Sequence, residues 1–371
     1  MTSVIDQDQE KILKIRGLRV HFYTFEGVVK ALDGITFDVF KGESLGLVGE
    51  TGCGKSVTVR SIMRLIEEPG KIVEGEIDYH GKDILTMKDK EVRRIRGKKI
   101  AMIFQDPMTF LNPVLRVGDQ VSEVFLLHQE IPEAKRSDGK IDKKKLKGLL
   151  RTKVTDIFKI VRLPDVEELY DRYPHELSGG MRQRVMIAMA IASNPDIMIA
   201  DEATTALDVT IQAQILDLLN DLKDELRTTL IFVTHNLGII ANMCDRVIVL
   251  YGGQIVEVAE TVELFQKSIH PYTRGLLKAI PLIHRPKREL DAISGVVPNL
   301  VTPPEGCRFH PRCYMAAENP EIKERLCVKE RPDPYEYFPG HFVACHVRRL
   351  ERVDEDAGLK PETVYEKIET Q

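Results

Sequence analysis

The chain has 371 residues, of which 43% are hydrophobic and 30% are charged, and its formal net charge is −4. This length suffices for a large buried core and a smaller second unit. The mixture of charges provides no broad basic surface for nucleic acid, and no apolar run approaches the ~18 residues that cross a bilayer. The polar, acidic first residues do not resemble a signal peptide. We therefore expect a cytosolic protein that contacts a membrane only through a partner.

The first domain, residues 1–265, is predicted to alternate strands and helices. Apolar runs of strand length occur at residues 44–48, 100–104, 197–200, 230–233 and 247–250. Such alternation is typical of an α/β domain with a largely parallel sheet. Half-buried strands beside glycine-marked turns are predicted at residues 12–20, 31–40, 75–79 and 254–258, and they add an antiparallel part. A stretch rich in Lys, Glu and Leu predicts a helical subdomain at about residues 108–190.

A glycine-rich segment follows the strand predicted at residues 44–48. Residues 49–56 read GETGCGKS, which fits GxxxxGK[ST], and a predicted helix follows. This context is the one a phosphate-binding loop requires. Glycines let backbone amides surround phosphate oxygens, and the helix N-terminus adds its positive end. The sequence therefore predicts an ATP site lined by Gly49, Glu50, Thr51, Gly52, Cys53, Gly54, Lys55, Ser56 and Val57.

Within this site, two side chains have predicted roles of their own. Lys55 is expected to reach the β- and γ-phosphates, and Ser56 is expected to hold Mg²⁺. The alternative is a glycine-rich turn that carries a lysine but does not bind phosphate. This alternative is disfavoured because a predicted strand precedes the segment and a predicted helix follows it, as the phosphate-binding motif requires.

Polar side chains occur at the ends of three other predicted strands: Asp201 and Glu202 follow one, Gln105 follows another, and His235 follows residues 230–234. Carboxyl ends of parallel strands meet at the edge where α/β folds bind ligands. Asp201 is expected to organise Mg²⁺, and Glu202 to orient the attacking water or accept its proton. Gln105 could sense Mg²⁺ or water, and His235 could contact the γ-phosphate. A solvated acidic turn is the alternative for the two acids.

A second anion-binding helix start is predicted at residues 177–181, LSGGM, before a strong helical stretch. One ATP does not need two such loops from one chain. A two-fold assembly would use both, since Ser178, Gly179 and Gly180 of one subunit could close over the nucleotide held by the other. The alternative is an ordinary N-cap followed by a glycine turn.

Together these motifs resemble the ABC transporter ATPases. The phosphate loop, Gln105, LSGGM, IMIADEAT (residues 197–204), TALD (residues 205–208) and His235 occur in that family's order. The resemblance implies an α/β P-loop ATPase with a mixed sheet core, an antiparallel β subdomain and a helical subdomain, followed by a small, irregular, Cys-rich C-terminal domain.

The resemblance also implies roles for individual residues. In that family the LSGG loop completes the partner's ATP site, the stretch ending at Asp208 couples the two sites, and Gln105 lies where membrane subunits dock. An aromatic residue near the N-terminus stacks on adenine. We assign Phe22 to this role, with Tyr23 and Phe25 as alternatives. Where many members have Gln and Pro, this chain has Met181 and Ala203, and neither change affects a catalytic group, so we expect ATP hydrolysis.

The C-terminal part is predicted to comprise a small unit, residues 266–350, and a charged tail, residues 351–371. HPYTRGLL (residues 270–277), SGVVP (residues 294–298) and PPEGCRFHPRC (residues 303–313) resemble the extension of the oligopeptide/dipeptide importer ATPases. That resemblance implies a prokaryotic subunit at the cytoplasmic face of the membrane. Its partners would be a second, related ATPase, two membrane permeases and an extracytoplasmic substrate-binding protein.

Four cysteines occur in this part: Cys307, Cys313, Cys327 and Cys345. A cytosolic chain should not hold stable structural disulfides, and four thiolates suit a [4Fe–4S] cluster or zinc. Some members of the resembled family carry an iron–sulfur cluster at such cysteines, so we predict a structural [4Fe–4S] cluster. The alternatives are zinc, where His310 or His346 could replace one thiolate, and no metal.

Peptides are the predicted cargo, because of the resembled extension. The same motor could instead serve an importer of oligosaccharides or nickel. A soluble ABC ATPase acting on DNA or ribosomes is disfavoured, because the sequence has no sustained heptads and only one ATPase half. An ordinary P-loop kinase or GTPase would not need the LSGG loop.

Overall fold

The computed structural model describes residues 10–134, 140–204, 207–280 and 293–357. The strands are β1 Lys11–Thr24, β2 Gly27–Phe40, β3 Ser44–Val48, β4 Gly70–Tyr79, β5 Lys82–Asp83, β6 Ile100–Ile103, β7 Ile197–Asp201, β8 Thr229–Thr234, β9 Arg246–Tyr251, β10 Gln254–Glu260, β11 Tyr335–Phe338 and β12 His341–Val343.

The α-helices are α1 Lys55–Ile62, α2 Asp89–Ile95, α3 Pro107–Phe110, α4 Val117–His128, α5 Lys143–Ile160, α6 Val166–Leu169, α7 Gly179–Ile191, α8 Val209–Leu226, α9 Leu237–Met243, α10 Thr261–Lys267, α11 Pro271–Lys278, α12 Tyr314–Glu318, α13 Pro320–Ile322 and α14 His346–Ala357. Tighter 3-10 turns lie at Pro132–Ala134, Pro174–Glu176 and His310–Arg312, and a π-helical turn lies at Lys323–Cys327. No helix in the described ranges is both long enough and apolar enough to cross a membrane.

The chain forms two compact units. Among the described residues, the first unit contains those up to Leu85 and those from Thr234 onwards, and the second contains those between positions 86 and 233. Of the charged tail predicted at residues 351–371, only the end of α14 lies among the described residues.

The first unit holds an antiparallel sheet of order β2-β1-β4-β5 and the strand series β11-β12-β10-β9-β3. In that series β3 and β9 are parallel, and the other neighbours are antiparallel. Every residue of β3 is buried. Gly46 within it faces α9 so closely that a Cβ would lie 2.8 Å from Cδ1 of Ile240. This tight packing fixes the end of β3, from which the glycine-rich loop departs.

The hairpin β11–β12 differs from the irregular structure expected of the C-terminal part. Residues 335–343 pair with each other, and Val343 and Phe342 pair with Glu257 and Val258 of β10. Strands of three and four residues are too short for hydrophobic alternation to reveal them in a sequence.

The second unit holds β8, β7 and β6, which run parallel to one another in that order. All five residues of β7 are buried, as expected of a central parallel strand covered on both faces. The helices α4, α5, α6 and α7 follow β6 in this unit. Gly118 of α4 lies against the Tyr170 ring, where a Cβ would approach to 2.4 Å, so these helices pack closely.

Candidate nucleotide-binding site

The loop between β3 and α1 requires glycine at both of its ends. Gly49 has φ of 151°, and a Cβ there would lie 2.2 Å from the carbonyl oxygen of Leu250. Gly54 has φ of 104°, and a Cβ there would lie 2.9 Å from the carbonyl oxygen of Ala31. Any other residue would meet both backbone strain and a clash. The predicted glycine pattern is therefore explained by the folded backbone.

Lys55 folds back across this loop. Its side chain is buried, and its Nζ donates to the carbonyl oxygens of Gly49 at 2.8 Å and Glu50 at 3.1 Å. The ammonium group is thus held by the loop's own carbonyls, at the start of a helix whose positive end attracts anions. Ser56 and Val57 follow in the first turn of α1 and are half-buried.

The remaining loop residues differ in exposure. Thr51 and Gly52 are exposed, whereas Cys53 is buried. Burial raises the pKa of the Cys53 thiol, although nearby Lys55 opposes the shift. Cys53 therefore remains a neutral thiol at physiological pH and adds no negative charge beside Lys55.

Three aromatic residues near the end of β1 have different surroundings. Phe22 is half-buried, and its ring lies against Gly70, where a Cβ would approach to 2.6 Å. Tyr23 is 48% exposed, and Phe25, in the turn before β2, is fully exposed. All three belong to the first unit, as does the phosphate loop.

His235 is also in the first unit, exposed in the short link between β8 and α9. The next residue, Asn236, caps α9 by accepting a hydrogen bond from the Gly238 amide at 2.9 Å. The cap fixes the backbone immediately after His235.

Asp201 and Glu202 lie at the carboxyl end of β7 in the second unit. Asp201 is 3% exposed. Glu202 has φ of 47°, and its amide donates to the carbonyl oxygen of Val233 at 3.0 Å. This left-handed conformation costs a non-glycine residue about 1–3 kcal/mol, and residues that adopt it occur often at functional sites.

Gln105 and Glu202 meet at this edge. The Gln105 Nε2 donates to Glu202 Oε2 at 2.9 Å. Gln105 and Glu202, which follow different predicted strands, are therefore in direct contact, and Asp201 directly precedes Glu202. Carboxylate and amide oxygens suit Mg²⁺, so Asp201 and Gln105 provide the kind of ligand the prediction requires.

The LSGG segment begins α7. Ser178 is the N-cap, and its Oγ accepts a hydrogen bond from the Met181 amide at 3.3 Å. A Cβ on Gly180 would lie 2.7 Å from Cγ2 of Ile211, in α8. Asp208 caps α8 in turn, by accepting from the Ile211 amide at 3.0 Å. The LSGG loop and Asp208 are thus connected through Ile211, while Thr205 and Ala206 of the TALD stretch lie outside the described residues.

Two contacts to the phosphate loop were missed by sequence reasoning. Arg312 forms a bidentate ion pair with Glu50, with distances of 2.7 and 3.1 Å. The Tyr272 hydroxyl accepts a hydrogen bond from the Glu50 amide at 2.8 Å. Arg312 lies in the segment PPEGCRFHPRC and Tyr272 in HPYTRGLL, so the motifs were recognised in the sequence but their contact with the loop was not.

The four C-terminal cysteines share one hydrophobic cluster. Cys327 and Cys345 are buried in it, and Cys307 and Cys313 pack against it. Burial raises the pKa of Cys307 to about 12 and that of Cys327 to about 11. In the described part of the chain, no three His, Cys, Asp or Glu side chains are grouped so that they could hold a metal ion. The donor set therefore fits an iron–sulfur cluster in kind and number, but the thiols are not gathered around one point.

Comparison with known proteins agrees with this geometry. Residues 32–205 match the ABC transporter family, and residues 256–319 match the oligopeptide/dipeptide transporter C-terminal region. The oligopeptide transport ATP-binding protein OppD of Bacillus subtilis is 44% identical over 335 residues, covering 90% of this chain and 88% of that protein. The dipeptide transport ATP-binding protein DppD of the same species is 46% identical over 305 residues, covering 82% and 87%.

This chain belongs to the oligopeptide/dipeptide ABC transporter family of ATP-binding subunits. Among solved structures, a dimeric ATP-binding cassette in a post-hydrolysis state with ADP and Pi is 27% identical with a TM-score of 0.57, covering 67% of this chain and 98% of that one. The predicted ABC-type fold with a mixed sheet is confirmed, and so is the prediction that the chain is an ATPase.

Proposed function

We propose that this chain is the ATP-hydrolysing subunit of an ABC importer that drives peptide uptake across the cytoplasmic membrane. The observation that carries the peptide assignment is the match of residues 256–319 to the oligopeptide/dipeptide transporter C-terminal region. Relatives named for oligopeptide and dipeptide transport, at 44% and 46% identity, support it. The chain would lie at the cytoplasmic face of the membrane, attached to permeases.

In the nucleotide site, residues 49–57 hold the phosphates, and Lys55 neutralises their charge. Its present hydrogen bonds to Gly49 and Glu50 place the ammonium group inside the loop. Phe22 is the proposed adenine-stacking residue, with Tyr23 and Phe25 as alternatives. His235 is the proposed contact to the γ-phosphate.

The activation of water is assigned to Glu202, which directly follows β7. Glu202 orients water and accepts its proton, and Gln105 holds the Glu202 carboxylate through the 2.9 Å hydrogen bond. Asp201, Gln105 and Ser56 are the residues that would hold Mg²⁺. When bound with ATP, Mg²⁺ neutralises charge that develops on the phosphate oxygens.

The working form is proposed to be a dimer with a second, related ATPase. Ser178, Gly179 and Gly180 of one subunit would close over the ATP of the other, and Asp208 would couple the two sites. The cap contacts of Ser178 and Asp208, and the packing of Gly180 on Ile211 between them, support a shared rigid unit. Two permeases and an extracytoplasmic substrate-binding protein would complete the importer.

The transported substrate decides the assignment. The chain should be copurified with its permeases and binding protein, and the bound ligand identified by mass spectrometry. We expect di- or oligopeptides, whose uptake into proteoliposomes requires ATP. An oligosaccharide or nickel as the only ligand would contradict the peptide assignment and leave the ATPase assignment intact. Copurification with DNA or ribosomes instead of permeases would contradict the importer itself.

A structural [4Fe–4S] cluster at Cys307, Cys313, Cys327 and Cys345 is the second part of the proposal. Their common location in one cluster supports it. When bound, such a cluster would cross-link these segments, two of which are also joined by the hydrogen bond from the Cys307 amide to the Cys327 carbonyl oxygen at 2.9 Å. Anaerobically purified protein should be brown, absorb visible light broadly and contain iron. Zinc in place of iron, or a colourless metal-free protein that folds normally, would contradict it.

A further inference from the structure

Two residues of the C-terminal part hold the phosphate loop at Glu50. The Nη1 and Nη2 atoms of Arg312 donate to the two carboxylate oxygens of Glu50, at 2.7 and 3.1 Å. Tyr272 in α11 accepts a hydrogen bond from the Glu50 amide at 2.8 Å. All three residues belong to the first unit. One loop residue is thus held at its side chain by one element and at its backbone by another.

Arg312 uses all of its donors in the protein. Beyond Glu50, its guanidinium donates to the carbonyl oxygens of Ser294 at 3.0 Å and Ile293 at 3.2 Å, and to the Tyr251 hydroxyl at 3.3 Å. A guanidinium has five N–H groups, and these five contacts employ each of them. The side chain is also only 5% exposed. Arg312 therefore does not contact the nucleotide itself, and its fork fixes the Glu50 carboxylate.

The third polar group of Glu50 connects this pair to Lys55. The Glu50 carbonyl oxygen accepts a hydrogen bond from Lys55 Nζ at 3.1 Å. A bidentate arginine–carboxylate pair constrains geometry as well as supplying energy. A continuous series of contacts therefore runs from Arg312 through Glu50 to the lysine of the phosphate loop.

We propose that Arg312 and Tyr272 are positioning residues for the ATP site, which hold the phosphate loop in its binding conformation through Glu50. Preorganising a loop lowers the cost of ordering it when ligand binds. ATP affinity should therefore depend on Arg312 and Tyr272 of the C-terminal part, although every donor of Arg312 is used within the protein. This inference rests on the proposed role of residues 49–57 as the phosphate-binding loop.

The test is the Kd for Mg-ATP of the full chain, measured by isothermal titration calorimetry. Arg312→Gln and Glu50→Gln should each raise the Kd about tenfold. The double variant should bind ATP no more weakly than either single variant, because both substitutions remove the same contact and their effects are therefore not additive. Arg312→Lys keeps the positive charge but loses the bidentate guanidinium, so its Kd should lie between those of the wild type and Arg312→Gln. The matched control is Arg331→Gln, because Arg331 donates to the Asp33 carbonyl oxygen at 2.8 Å and not to the loop. Its Kd should equal that of the wild type.

Tyr272→Phe removes a single oxygen atom and provides an independent variant should Arg312→Gln fold poorly. It should raise the Kd several-fold. In steady-state assays both variants should raise the KM for ATP more than they lower kcat, whereas general destabilisation would lower the active fraction and leave KM unchanged. Wild-type Kd in both variants, or additive effects of Arg312→Gln and Glu50→Gln, would overturn the positioning role.

Lys55→Ala separates this inference from the function on which it rests. If Lys55→Ala abolishes ATP binding while Arg312→Gln and Tyr272→Phe do not weaken it, only the positioning role fails. If Lys55→Ala also binds ATP normally, the assignment of the phosphate loop fails, and the inference fails with it.

Discussion

Glu202 combines backbone strain with a defined side-chain partner. Its φ of 47° is unfavourable for a residue with a side chain, yet its amide is held by Val233 at 3.0 Å and its carboxylate by Gln105 at 2.9 Å. The surrounding sheet therefore determines where the carboxylate lies. Six other described non-glycine residues also have positive φ, so the choice of Glu202 over Asp201, the buried strand residue, as the group that acts on water is based on the defined position of its carboxylate.

Glu202→Gln should lower ATP turnover in the assembled transporter by about 10²–10⁴-fold, because a general base is lost. The amide has nearly the same shape, so ATP affinity should remain unchanged. Phosphate release and calorimetric ATP binding check the two expectations. Glu225→Gln, at an exposed position of α8, is the matched control and should hydrolyse ATP normally. Unchanged turnover in Glu202→Gln would remove Glu202 from catalysis.

At the scale of elements, the first turn of α7 packs against the first turn of α8. Gly180 lies directly against Ile211, with 2.7 Å from a hypothetical Cβ to Cγ2, whereas a Cβ on Gly179 would lie 3.6 Å from Leu207. The first distance requires the neighbouring side chain to move, and the second is an ordinary contact. The two adjacent glycines of LSGG therefore differ: Gly180 is required by packing, and Gly179 is not.

Gly180→Ala should lower the free energy of unfolding by about 1–3 kcal/mol, because it overpacks the contact with Ile211. Gly179→Ala is the control and should change the free energy of unfolding by less than about 1 kcal/mol. Chemical denaturation of the full chain measures both. Adding Ile211→Ala to Gly180→Ala should recover part of the loss. Equal effects of the two alanine substitutions would show that packing on α8 does not explain Gly180.

Comparison of individual elements shows which parts of the structure the sequence predicts and which it does not. The strands β3, β7 and β9 were predicted within one or two residues, because each is an apolar run followed by glycine or acid. The glycines of residues 49–54 revealed the loop because its backbone admits no alternative. The Arg312–Glu50 contact joins residues 262 positions apart, and no local pattern encodes such a pair. The hairpin β11–β12 was missed because its strands are too short for periodicity.

At the scale of the whole molecule, each chain carries two helix starts that are proposed to bind phosphate, and they belong to different compact units. The loop before α1 lies in the first unit, and the loop before α7 lies in the second. Under the proposed function, the loop before α1 of one chain and the loop before α7 of its partner would bind the same ATP. ATP should then hold two chains together, and hydrolysis should release them.

The last prediction tests this pairing with Ser178. In the Glu202→Gln background, ATP should convert the chain and its partner ATPase into a stable dimer, seen by size-exclusion chromatography with light scattering, and ADP should not. Ser178→Asp keeps an N-cap acceptor but places a negative charge towards the other subunit's phosphates, so it should abolish the dimer. Ser178→Asn, an equally good cap without the charge, is the matched control and should dimerise. If Ser178→Asp dimerised as well as Ser178→Asn, the LSGG loop would not face the partner's ATP.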